Sequence, residues 1–201
     1  MKKGLCVLLI GMLLVSMLPW ALAETVEEAQ SGFSFRNGVF FGMSMEEVIR
    51  LEREISPDVH MSTREINGVS LLYFDFVEVS NTKAPLYYAF FHDQLVLMNY
   101  DFYRYGEASN ESDYAYLTEA LSAVYGEKNS ADNHEILTVM DWIVPDVYTL
   151  DSFQQSWVWR ADGVTVFQMY YQKDTFAILY VNPALDDSFF QHPEPLNTTW
   201  L

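Results

Sequence analysis

The chain has 201 residues, 50% of them hydrophobic, and carries a formal net charge of −17 from 28 acidic against 11 basic side chains. Acidity of that order repels phosphate backbones and anionic lipid surfaces, which argues against nucleic acid and charged membranes as partners. Its single cysteine, Cys6, allows no internal disulfide, so the hydrophobic core must hold the fold unaided.

Residues 1–23 read as a secretory leader. Lys2 and Lys3 form the basic start, Leu5 to Leu18 the apolar stretch, and Ala21-Leu22-Ala23 a small-x-small cleavage site ahead of Glu24. The alternative is an uncleaved anchor, because the apolar stretch approaches the lower length for a spanning helix; Pro19 and the Ala-Leu-Ala site favour cleavage. Cys6 lies far ahead of that site and is not placed for lipid attachment. The expectation is a secreted or extracytoplasmic protein with no stable membrane insertion once the leader is removed. Domains of about 150 residues bury roughly 70% of the surface their unfolded chains expose, enough here for one domain or two small packed halves. Solubility is the first explanation of the acidity, and a basic partner or weak calcium binding outside the cell is the alternative. Weak calcium binding would need ligand-rich loops, and the clusters Asp132-Asn133-His134-Glu135 and Asp186-Asp187 lack the spacing of one.

Residues 24–32 form a small, acidic lead-in, and a first helix-plus-sheet half is expected over 33–105. Phe33-Ser34-Phe35 alternates as a short strand would, and Arg36-Asn37-Gly38 marks a turn. Ser44 and Glu47 then make a capping box, with Met43 and Val48 as its hydrophobic staple. Met45, Val48, Leu51 and Ile55 line one side of the resulting helix, which ends before Pro57. Cap chemistry accounts for Glu46 and Glu47 without a catalytic role. Asn67-Gly68 is a second turn. Val69 to Val79 is a strand apolar on both sides, hence inside a sheet, and Ser80 to Pro85 reads as a loop. Leu86 to Phe102 is the longest apolar run after the leader and reads as two strands joined by a tight turn. A turn at Asp93-Gln94 puts Tyr87, Ala89, Phe91, Val96, Met98, Tyr100 and Phe102 on the core face. Tyr88, Phe90, His92, Leu95, Leu97, Asn99 and Asp101 then lie opposite. A three-residue loop at 92–94 would exchange the faces of one arm.

A second half is expected over 106–181, after a polar joint at Tyr105 to Asp113. Its helix covers Asp113 to Tyr125, with Tyr114, Leu117, Leu121 and Val124 on one side and Gly126 as C-cap. Ile136 to Val144 reads as a strand. Asp162-Gly163 closes a hairpin between Gln155–Ala161 and Val164–Tyr171, and Phe176 to Val181 returns as a third strand. With two-residue turns throughout, Val158, Phe167, Met169, Tyr171, Phe176, Ile178 and Tyr180 share one face. Trp157, Trp159, Val164, Val166, Tyr170, Leu179 and Val181 share the other. Residues 182–201 read as an extended, proline-containing tail. The predicted fold class is α+β, an antiparallel sheet with two packed helices, its elements ordered as two tandem helix-plus-sheet halves.

The phrase Gly42-Met43-Ser44-Met45-Glu46-Glu47-Val48 resembles the helix opening of small exported bacterial domains of the β-lactamase-inhibitor-protein type. It is also similar to that of the related outer-membrane assembly lipoproteins, whose unit is a short helical segment laid on an antiparallel sheet. The resemblance covers seven residues and an order of elements, and it implies that architecture. The chain departs from the pattern in lacking a lipobox cysteine and disulfides, so no inhibitory or assembly residue carries over. It also looks similar to exported proteins of Gram-positive gut bacteria, which implies no activity.

No constellation points to catalysis. The leader takes the only thiol with it, and there is no Gly-x-Ser-x-Gly elbow. His60, His92, His134 and His192 stand singly. His134-Glu135 begins like a zinc-protease motif, but Thr138 occupies the place of the second histidine. The expectation is therefore no metal, no cofactor and no enzyme. The remaining catalytic alternative is a hydrolase with an unrecognised carboxylate site. The favoured function is a protein-interaction module that meets an unknown protein or cell-surface ligand through Trp157, Trp159, Tyr170, Tyr88 and Phe90. The alternative is carbohydrate or cell-wall binding, with Trp157 and Trp159 stacking sugar rings; ordinary core is the competing explanation for that pair.

Overall fold

A computed structural model describes residues 34–79, 82–102, 111–143, 147–171 and 175–185. The leader, the lead-in, Phe33, most of the expected joint and the tail from Asp186 onward fall outside these residues. Eight strands, β1 (Met61–Ile66), β2 (Val69–Val79), β3 (Thr82–Phe91), β4 (Gln94–Asp101), β5 (Asn129–Ser130), β6 (Phe153–Ala161), β7 (Val164–Tyr171) and β8 (Phe176–Val181), form one antiparallel sheet in the order β1-β2-β3-β4-β8-β7-β6-β5. The helices are α1 (Met45–Ile55), α2 (Glu111–Tyr125) and α3 (Asn133–Ile143). The α+β class holds. α1 leads into β1–β4, α2 is followed by β5, α3 and then β6–β8, and β4 and β8 lie side by side.

α1 forms where its capping box demands. The Ser44 hydroxyl accepts from the Glu47 amide, and the Glu47 carboxylate accepts from the Ser44 amide at 2.9 Å. The hairpin turns at Asn67-Gly68 and Asp162-Gly163 also fall as read. The turn between β3 and β4 falls one residue earlier than expected, at His92-Asp93, both in the left-handed region with φ of 50° and 59°. Asp93 is held there from afar, its carboxylate accepting from the Met45 amide at the start of α1 at 3.1 Å. Phe91 therefore faces Gln94 and Tyr88 faces Met98, with an irregularity after Leu95. The first arm of this hairpin turns its faces over relative to the expectation. β8 does the same, because Tyr170 pairs with Phe176 and so puts Phe176, Ile178 and Tyr180 beside Trp159 and Val166.

Three other expectations are corrected. Residues 82–85 belong to β3 rather than to a loop. Pro85, which has no amide to donate, stands opposite the break in the ladder between Phe74 and Val77. β1 was not anticipated. The segment read as a strand at Ile136 to Val144 is α3. Asp132 caps it by accepting from the His134 amide at 2.9 Å, and Ile136, Val139, Met140 and Ile143 form its buried stripe.

The helices divide the sheet's two faces. On the front, α1 covers the β1–β4 side and α2 the β6–β8 side, enclosing a core that includes Val48, Leu72, Tyr88, Leu121, Trp159 and Ile178. Ile55 and Val124, both expected on buried helix faces, are exposed by 58% and 72%. The buried stripes are instead completed by Glu52 on α1 and Thr118 on α2. On the back, α3 crosses the end of the sheet that carries the hairpin turns, and its Trp142 meets Phe91 with ring centroids 6.1 Å apart. Among the described residues, no helix is long and apolar enough to cross a membrane.

Candidate functional site

β6 is nearly an edge strand, since β5 pairs with it only at Val158 and Trp157. α2 lies over the front of β6–β8 but stops short of this margin, leaving a cleft of about 210 Å³ between helix and sheet. α2 supplies Thr118 and Glu119 to the cleft, the strands supply Gln155, Trp157 and Tyr170, and the turn before β5 supplies Lys128. Strand alternation brings Gln155 and Trp157 to one face, while the helical i, i+4 spacing stacks Tyr114 on Thr118.

The cleft has a rigid wall. Gln168, fully buried beneath it, accepts from the Thr118 hydroxyl at 2.6 Å and donates to the Tyr114 carbonyl at 3.0 Å, which seats α2 at one position on β7. Tyr114 packs edge-on to Tyr170 at 5.0 Å, and burial together with Tyr170 raises its phenol well above the ordinary value, keeping it neutral. Trp157 is half-buried, and the Lys128 ammonium stands 4.6 Å from the centroid of its ring. The result is one flat aromatic surface bordered by a carboxylate, an amide, a hydroxyl and an ammonium.

The aromatic residues singled out from the sequence divide between this cleft and the core. Trp157 and Tyr170 meet at the cleft. Trp159, Tyr88 and Phe90 are corrected to core positions with 0%, 0% and 1% exposure. The reason is coverage by helices: the Trp159 ring nitrogen donates to the Ser122 hydroxyl of α2 at 3.3 Å, and the Tyr88 hydroxyl donates to Glu52 of α1 at 2.6 Å. Glu119, Lys128 and Gln155 were missed. Only Gln155, two residues before Trp157 on the same strand face, left a signal that alternation could have used.

A larger hollow of about 540 Å³ lies on the back between the start of α3 and the ends of β6–β8. Its principal cation, Arg160, is already engaged by both carboxylate oxygens of Glu135 at 2.8 and 2.7 Å. Its charges largely cancel, and it offers less to orient a ligand than the Trp157 cleft does. His60 faces Asp75 at 3.1 Å in an exposed pair away from both hollows. Among the described residues, no three histidine, cysteine, aspartate or glutamate side chains are grouped to hold a metal ion.

No protein-family model, curated protein or solved structure matches this chain. Its chemistry is therefore read from the geometry of its own side chains.

Proposed function

We propose that this protein is an exported, non-catalytic binding module that takes a carbohydrate ring in the cleft between α2 and β6–β7. The observation that carries the reading is Trp157, a half-buried indole on the wall of a cleft that also holds Glu119, Lys128 and Gln155. The C–H face of a pyranose is weakly positive and packs on the negative face of an aromatic ring, while its hydroxyls project sideways and need partners. Glu119 accepts, Lys128 donates, and Gln155 does both. The cation now over the indole shows that this ring face attracts positive charge; a sugar would replace it there and accept a hydrogen bond from the displaced ammonium.

Docking of a protein on a bare aromatic sheet has less support, because Trp159, Tyr88 and Phe90 lie under helices. Export rests on the leader pattern of residues 1–23. The test is co-sedimentation with insoluble cell-wall polysaccharides, followed by titration of tryptophan fluorescence with soluble fragments of whichever one retains the protein. Trp157→Ala should weaken binding about 30-fold, the loss expected of an aromatic anchor, while leaving the thermal midpoint within a few degrees. Equal binding by wild type and variant, or no retention on any wall polysaccharide, would overturn the reading.

A further inference from the structure

Trp157 stands at a corner of the front face. Its same-face neighbours along β6 are Gln155, which is exposed, and Trp159, which is fully buried with its ring nitrogen bonded to Ser122 of α2 at 3.3 Å. Across the sheet it pairs with Gln168 of β7, also fully buried, because Thr118 and the Tyr114 carbonyl of α2 close over that amide. On its other side is β5, whose two residues are both exposed. The indole is therefore open towards Gln155 and towards β5, and shut by α2 towards Trp159 and towards Gln168. Each line across the ring has one open end and one closed end.

That corner decides how a glycan can lie on it. A pyranose inside a straight chain carries its two glycosidic links on opposite sides of the ring, so a chain passing over the indole needs two openings that face each other. Here the two openings are adjacent. The room is also that of a single ring: about 210 Å³ is the liquid volume of about seven waters, enough for one hexose and not for two. Lys128, just before β5, borders one opening with its ammonium 4.6 Å from the ring centroid, which leaves the Gln155 side as the mouth. We infer that the cleft takes the terminal ring of a glycan chain, the rest of the chain leaving past Gln155, a placement that rests on the carbohydrate reading above. A terminal ring carries a hydroxyl where an internal ring carries its next link. Glu119 on the α2 wall enters no hydrogen bond or ion pair among the described residues, and its carboxylate is available to accept from that hydroxyl. An internal ring would press its second link against α2.

The experiment uses the whole protein with insoluble peptidoglycan, chitin, cellulose and starch, each as the intact polymer and after mild acid hydrolysis to shorter chains. On a polymer that retains the protein, the amount bound per gram should rise in proportion to the number of chain ends. In solution, the methyl glycoside of a sugar from that polymer should bind within about threefold of the linear trimer, because only one ring is enclosed. Borohydride reduction of the trimer opens its reducing-end ring: unchanged binding assigns the ring in the cleft to the non-reducing end, and lost binding assigns it to the reducing end. A bound amount that ignores chain length, or a trimer that binds more than ~10-fold tighter than the methyl glycoside, would overturn the terminal placement while leaving the carbohydrate reading standing. Retention on none of the four polymers would overturn both.

Discussion

The two helices on the front of the sheet are seated by opposite devices. Beneath α1 lies a carboxylate: Glu52, fully buried, takes the Tyr88 hydroxyl at 2.6 Å and faces the Arg36 Nε at 3.3 Å. Beneath α2 lies a neutral amide, Gln168, whose donor and acceptor are both matched. The charged seat draws three chain segments together, namely the turn at Arg36, α1 and β3. It does so against a desolvation cost that outweighs the stabilising bonds and leaves Glu52 with a raised pKa. The neutral seat joins only α2 and β7 and does not titrate. One fold thus fixes one helix by a buried charge and its counterpart by amide complementarity, and the two should respond differently to mutation and to pH.

The largest difference should come from truncation. Glu52→Ala strands Arg36 and Tyr88 in the interior and should cost about 3 kcal/mol in urea unfolding. A loss of less than ~1 kcal/mol would reduce the seat to the standing of a surface ion pair. Gln168→Ala should cost less, ~2 kcal/mol, because the Thr118 hydroxyl proton, released from Gln168, turns to the Tyr114 carbonyl 2.7 Å away. The smallest effect is on pH dependence. The folded-state pKa of Glu52 lies above its ordinary value of 4.5, so the folded chain holds that proton more tightly than the unfolded chain does. The contribution is complete below the unfolded value and is lost as pH rises through the folded one. Wild-type stability minus that of Glu52→Gln should therefore decline as pH climbs from 4.5 through the folded pKa, and Gln168→Ala should show the wild-type slope. A difference that grows with pH would reverse the comparison.

What could be read from the sequence is what neighbouring residues decide among themselves. Ser44 and Glu47 are three apart and form the capping box of α1 between themselves. Asn67-Gly68 and Asp162-Gly163 close hairpins by local backbone preference. The turn at His92-Asp93 was not legible, because the bond that secures it reaches back to Met45. α3 was legible but misread: the run Ile136 to Val144 looks like a strand by composition, yet Asp132 caps it and its buried residues follow helical spacing. Trp157 and Trp159 show where alternation stops being informative. They share a strand face, and only the position of α2 makes one a cleft wall and the other core. The burial of Glu52 left no mark beyond its place four residues after Val48. Asn99 could be assigned to a sheet face, but its burial follows from the strands and rings that assemble around it.

The β4–β8 pairing is the one ladder among the described strands whose members are not successive in the chain. Every other adjacent pair can zip as its own stretch of polypeptide emerges, whereas this one waits for both halves. At high protein concentration the β8 of a second molecule presents the same edge to a waiting β4, with the same register from Leu97 to Asp101. Refolding at high protein concentration should therefore yield some exchanged dimer, and dilution before refolding should suppress it.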